Sequence, residues 1–339
     1  MRTLALPVAP GRRLLVERRL LVVAALLTVL VLCSAFAALC FGNGWDHPAD
    51  VWSALFGGGP IQISVTQWRM PRVLAAVVFG AGLGVAGAIF QNLTRNPLGS
   101  PDVIGLDAGA YTGVLVTLTV IGATGEGAVM AGALAGGLAA AALIQLLAWG
   151  RSFSGLRLIV IGIAVGAVLA AVNSWLVLRA ELDVAIAATF WNAGSLAGLD
   201  WVDIDTPVTL IVVLLAAVAL IARPMHQLAF GDDLARSTGV AMRPVQLVLV
   251  AIGVMLTATV TAVAGPIVFI ALAAPQIGRR LVGAAGVPLL PAALTGALLL
   301  CGSDLVAQGI FAPVALPVGV VTTAVGGLYL LWLLFKEVR

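Results

Sequence analysis

Charge is what this chain has least of. Only 10% of its 339 residues are Asp, Glu, Lys or Arg, and the single lysine is Lys336, almost at the C-terminus. A phosphate-binding loop of the Gly-x-x-x-x-Gly-Lys-Ser/Thr type needs a lysine in mid-chain. ATP hydrolysis by that route is therefore excluded, and any nucleotide-driven step must come from a partner. Histidine is nearly absent: His47 and His226 fall in separate loops, which leaves no zinc site. The three cysteines, Cys33, Cys40 and Cys301, lie in apolar runs without metal or disulfide spacing and read as core or lipid-facing filler. No metal site and no directly bound cofactor is expected. The net charge of +3 comes from loop arginines; it speaks to topology and not to nucleic acid.

What is there is apolar. Hydrophobic residues make up 61% of the chain and the mean hydropathy is +1.13. That composition belongs to a polytopic membrane protein. A span needs about 20 apolar residues, and the hydropathy pattern predicts an all-α chain with ten spans. They fall at 20–41, 71–91, 103–122, 127–149, 157–178, 207–222, 245–264, 267–283, 288–309 and 317–335. The expectation is one transmembrane domain over 1–339, with a cytoplasmic N-terminal segment 1–19. The run Leu20–Phe41 could pass for a signal peptide, but its length exceeds the 7–15 residues of a signal core; it reads as a retained first span. With the N-terminus in the cytoplasm, fifteen of the 18 basic residues fall inside and only Arg69, Arg72 and Arg179 outside. This satisfies the positive-inside rule and places both termini in the cytoplasm.

Several features stand out against that background. Arg69 and Arg72 flank Pro71 on the side where basic residues are disfavoured; they either snorkel at a span end or dock a partner. Gly80/Gly84, Gly105/Gly109/Gly113 and Gly162/Gly166 have the spacing that lets helices approach closely, within the subunit or at a dimer seam. The inner segment from Arg223 to Pro244 predicts a short helix at about 230–240. It starts at Gly231 with Asp232 and Asp233, runs through Leu234, Ala235 and Arg236, and ends at Gly239. That helix is either a docking element for a cytoplasmic partner or a connector lying on the membrane. Asp107 and Asp304 fall inside spans, where charge is costly, and neither shows a basic partner from the sequence.

Six strings then carry a resemblance over nearly the whole chain. They are Arg69-Met70-Pro71-Arg72; Gly87-Ala88-Ile89-Phe90-Gln91; Thr94-Arg95-Asn96-Pro97-Leu98-Gly99-Ser100-Pro101-Asp102; Trp191-Asn192-Ala193-Gly194-Ser195-Leu196; Ala264-Gly265-Pro266-Ile267-Val268-Phe269-Ile270 with Pro275; and Leu316-Pro317-Val318-Gly319-Val320-Val321. In this order they resemble the permease subunits of the iron-siderophore and vitamin B12 ABC importers, of the type II fold. Within that family the chain is most similar to the G-type permeases of ferric-enterobactin importers, which share the Trp191–Leu196 element, the Gly231-Asp232-Asp233 turn and the Asp304–Gln308 region.

The resemblance implies ten spans, a second homologous permease subunit, and two cytoplasmic ABC ATPases, which use ATP and Mg, docked on Gly231, Asp232, Asp233, Leu234, Ala235, Arg236 and Gly239. It implies a binding protein docking outside on Arg69 and Arg72, and a cytoplasmic gate at Asn96, Pro97 and Leu98. The substrate would be a ferric-siderophore, of catecholate type, carried across the inner membrane by a non-enzymatic subunit. Four departures matter. Gln276 stands where relatives commonly carry a histidine after the proline matching Pro275. Gln308 stands where the B12 relative has a third docking arginine. Gly155 and Leu156 align with that relative's second gate pair, which is Thr-Ser. Asp107 stands where relatives usually carry Asn or Ser. The alternatives are a B12 or haem permease, an ion-coupled secondary transporter, or an assembly protein with no conduction. A secondary transporter would call for coupling carboxylates and broken mid-membrane helices.

Overall fold

The computed structural model describes every residue except 1, 2, 10, 11, 43, 103, 104, 149–154, 230–241, 285, 313, 338 and 339. A hairpin of two antiparallel strands, β1 (Thr3–Ala9) and β2 (Arg12–Glu17), precedes an otherwise helical chain. The helices are α1 (Arg18–Cys40), α2 (Pro48–Leu55), α3 (Met70–Thr94), α4 (Leu106–Val116), α5 (Glu126–Ala148), α6 (Gly155–Arg179) and α7 (Leu182–Asn192). They continue with α8 (Trp201–Leu220), α9 (Ala222–Ala229), α10 (Met242–Ala264), α11 (Ile270–Val282), α12 (Leu289–Gly309) and α13 (Val318–Glu337). All ten expected spans have a helix. The short α2, α7 and α9 were not anticipated.

Two boundaries differ instructively. The second span does not begin at Pro71. Helix starts at Ser64, and a π turn, Ser64–Arg69, runs directly into α3, giving 31 continuous residues. Proline has no N–H and its ring clashes with the carbonyl four residues back. The wider turn, with Met70 N–H donating to Val65 O, sits just ahead of it. The eighth expected span is a 13-residue helix, α11, only about 20 Å long. Among the described residues seven helices are long and apolar enough to cross a membrane by themselves; α11 is not among them.

The chain before α11 explains the shortfall. On α10, Gly253 lies against the Phe90 ring, and Ala264 is eleven residues further on, about 16 Å toward the other side. Yet α11 starts beside Gly87, where a Cβ would strike the Ala271 carbonyl. Residues 265–269 thus double back by about 12 Å within the bundle. The segment before α4 does likewise: Gly105 lies against Gly162 and Gly166, well into α6. The two irregular segments meet, Phe269 N–H donating to Asp102 Oδ2 at 3.3 Å. Non-helical backbone is tolerated at membrane depth only when enclosed by protein, and Gly265, Pro266 and Ile267 are buried. Broken helices, expected above of an ion-coupled carrier, are therefore present here too.

Small residues make this packing possible. Gly80 and Gly84 face Gly296 and Ala292 on α12; Gly109 and Gly113 face Gly136 and Gly132 on α5. These motifs pack helices inside one subunit. Three of the sequence strings converge as well. Ser195 N–H donates to Ala264 O at 2.7 Å, and Gly319 N–H donates to Gly194 O at 3.0 Å. Gly194 and Gly265 both adopt positive φ, and each lies against the other's segment, leaving no room for a side chain.

Candidate functional site

Arg69 and Arg72 are not free. Arg72 makes a bidentate pair with Asp304, Nε to Oδ2 at 2.9 Å and Nη2 to Oδ1 at 2.8 Å, tying α3 to α12. Gln308 adds a third bond, Nε2 to Asp304 Oδ2 at 2.9 Å, from one turn along α12. Arg69 pairs with Asp46 at 2.6 Å and donates to Leu39 O at 2.9 Å; its guanidinium occupies the space a side chain at Gly42 would need. The two arginine side chains are only 15% and 16% exposed, and Asp304 is 2% exposed. This corrects two expectations: Asp304 does have a basic partner, and neither arginine head reaches freely into solvent. Arg72, in the first turn of α3, reaches across to α12, and a buried carboxylate requires such a partner. Arg179, the third basic residue expected outside, lies over the Trp175 ring at 5.2 Å.

These side chains nevertheless converge. Arg69, Arg72, Gln308 and Asp46 line one cavity of about 640 Å³ with Trp45 and Trp68, both of which are exposed. At the other end of α3, Arg95 takes a left-handed conformation and ends the helix, and Asn96 Oδ1 accepts from Leu98 N–H at 2.9 Å. Pro97 then prevents the helix from continuing. Leu98 is exposed, and Gly155, the first residue of α6, packs on Thr94, with a Cβ there only 2.6 Å from Thr94 Cα. The four expected gate residues, Asn96, Pro97, Leu98 and Gly155, thus occupy one corner of the molecule. Gly231, Asp232, Asp233, Leu234, Ala235, Arg236 and Gly239 lie outside the described residues.

Buried amides, of which the motif reading singled out only Gln276, hold the middle together. Gln91 Nε2 donates to Leu272 O at 3.0 Å, and Gln276 Nε2 donates to Gln91 Oε1 at 2.6 Å. Asn92 Nδ2 donates to Val287 O at 3.0 Å. Each bond ties α3 to the α11 region, and adjacent amides inside an apolar run were the available signal. On the opposite side, Arg19 at the start of α1 donates to Leu281 O at 2.9 Å near the end of α11. Those two ends therefore lie on one side of the bundle, as alternating spans require.

A second polar cavity, about 690 Å³, opens beside α6 and is lined by Asp107, Tyr111, Asn173, Ser174, Asn192 and Val268 among others. Asp107 sits in the first turn of α4, where the helix N-terminus favours a negative charge. Thr261 Oγ1 donates to it at 3.2 Å. Among the described residues no group of three or more His, Cys, Asp or Glu side chains could hold a metal ion.

The FecCD transport family model matches residues 26–336. The chain belongs to that family. Its members are non-catalytic permease subunits of ABC importers, and ATP hydrolysis belongs to a partner ATPase. The chain is 47% identical to the ferric enterobactin transport system permease FepG of Escherichia coli (strain K12), over 96% of this chain and 98% of that protein. It is 36% identical to the siderophore transport system permease YfhA of Bacillus subtilis (strain 168), over 91% of this chain and 94% of that one. A solved inward-facing metal-chelate type ABC transporter superposes with a TM-score of 0.81 at 25% identity, covering 94% of this chain and 99% of the other.

Proposed function

We propose that this FecCD permease carries a ferric catecholate siderophore across the inner membrane into the cytoplasm, with both of its own termini on the cytoplasmic side. The identity to FepG over almost the full length of both chains carries this reading. The absence of a metal-ligating cluster among the described residues is compatible with passage of an intact chelate. The working assembly would contain a second, homologous permease, two cytoplasmic ATPases acting through residues 230–240, and an outer siderophore-binding protein. The cavity lined by Arg69, Arg72 and Gln308 is the place for that binding protein, because exposed tryptophans beside arginines are typical of protein docking surfaces. Since both arginines already hold carboxylates, a partner's acid has to compete with Asp46 and Asp304 for them.

The test is uptake of labelled iron by a deletion strain supplied with different chelates. Loss confined to catecholate complexes, restored by this gene, is the expected result. Undiminished catecholate uptake, or a defect in vitamin B12 or haem uptake instead, overturns the reading.

A further inference from the structure

Arg69 and Arg72 line one cavity but hold their carboxylates differently. Arg72 sets the planar fork of its guanidinium on both oxygens of Asp304, and Gln308 adds a third bond to the same carboxylate. Asp304 lies within α12 and is 2% exposed. Arg69 meets one oxygen of Asp46, which is 33% exposed and belongs to the turn between α1 and α2. A buried bidentate pair is costly to break, whereas a partly exposed single contact is worth little. An incoming carboxylate can therefore replace Asp46 and not Asp304.

The turn makes a berth for Arg69. Leu39 O, a carbonyl of the last turn of α1, accepts from Nη1 at 2.9 Å. Such carbonyls lack partners in their own helix and carry the negative end of its dipole. Gly42 lies alongside, and a Cβ there would overlap the guanidinium. Asp46 is fixed in turn by its own N–H, which donates to Cys40 O at 2.8 Å. Trp45, next to Asp46, is exposed in the same cavity, so a partner that packs on it comes up against the berth.

We propose that Arg69 is a parked docking residue. The berth of Leu39, Gly42 and Asp46 holds its guanidinium back, a carboxylate of the binding protein draws it out in exchange for Asp46, and Arg72 stays a strut between α3 and α12. This rests on the reading that the cavity receives the binding protein. Parking lowers the apparent affinity by the fraction of time that Arg69 is released, so Asp46 sets a threshold for the partner's acid.

The experiment measures affinity between the complete importer in lipid nanodiscs and its purified binding protein at low ionic strength. Arg69→Ala should weaken docking about tenfold. Asp46→Asn should tighten it about threefold to fivefold, as much as a partly exposed pair can withhold. That variant also removes a charge that an acidic partner would feel. Gly42→Ala is the sharper one, because it leaves every charge in place and its methyl group evicts the guanidinium; it should tighten docking by a similar factor. Neither should gain anything once Arg69→Ala is present. Arg72→Leu combined with Asp304→Leu, a swap that buried pairs tolerate, should leave docking within about twofold of wild type. Should that double variant fail to assemble, the others decide alone; if it assembles and loses docking, the division between the two arginines is overturned. Tightening in Asp46→Asn but not in Gly42→Ala means plain repulsion and overturns the inference. Weakening in Arg69→Ala with no tightening in either berth variant overturns it too, and leaves the cavity as the docking site. Unchanged docking in Arg69→Ala overturns both readings.

Discussion

The helix from Ser64 to Thr94 and the helix from Gly155 to Arg179 draw on the same apolar alphabet and have opposite fates. Within their most apolar stretches, 78% of the first is buried in the subunit and 11% of the second. Hydropathy does not separate them, at 2.3 and 2.4. Between helices in lipid there is little hydrophobic drive, so close packing and polar bonds decide which faces meet. The first helix has both: Gly80, Gly84 and Gly87 against partner backbone, and Arg72, Gln91 and Asn92 reaching across. On α6, Val160, Ile163, Val168 and Val172 point outward, and its buried amide, Asn173, keeps an idle oxygen. One helix is the subunit's spine; the other presents a surface still to be met.

Breaking the spine should cost most. Gly87→Leu forces a side chain into the Ala271 carbonyl, and backbone on both sides leaves nothing to yield. Loss of more than about 4 kcal/mol is expected, read as failure to recover monodisperse protein in detergent. A well-folded variant would show that α3 and α11 are not locked together.

The ion pair comes next. Asp304→Ala leaves Arg72 charged, mostly buried and unpaired, and should lower stability by about 3–5 kcal/mol. Adding Arg72→Leu should restore part of that, a coupling of about 1–3 kcal/mol in a double-mutant cycle followed by thermal unfolding. Additive losses would mean that Arg72 and Asp304 do not act as a unit.

The smallest effect belongs to the other helix. Val168 on α6 is exposed. Val168→Ala should leave the stability of the isolated subunit within about 0.5 kcal/mol of wild type. A loss comparable to that of a buried site would show that this face is already packed in the single subunit.

Much of the fold was legible because a bilayer reads a chain one segment at a time. Ten apolar runs, their order, and the glycine spacings of Gly80/Gly84 and Gly109/Gly113 follow from local pattern. The π turn ahead of Pro71 and the shortness of α11 were not legible, because apolar content is the same whether 265–269 runs helical or extended. The candidate sites divide the same way. Asn96, Pro97 and Leu98 stand in one of the strings and Gly155 came only from alignment of the turn before the fifth span; the structure sets Gly155 against Thr94, next to them, which fixes their position and not their role. Asp304 was misread as unpartnered, since its arginine lies 232 residues away in sequence.

By itself the sequence determined the solvent, the order of the apolar runs and the family, because each depends on composition or on short strings that can be read without knowing what they touch. Which charges cancel, which amide keeps a free oxygen and which helix face stays open were decided only by tertiary structure. Those properties belong to pairs of residues on different helices: Arg72 reaches Asp304, and nothing among the described residues bonds Asn173 Oδ1, only because of how α3, α4, α6 and α12 pack.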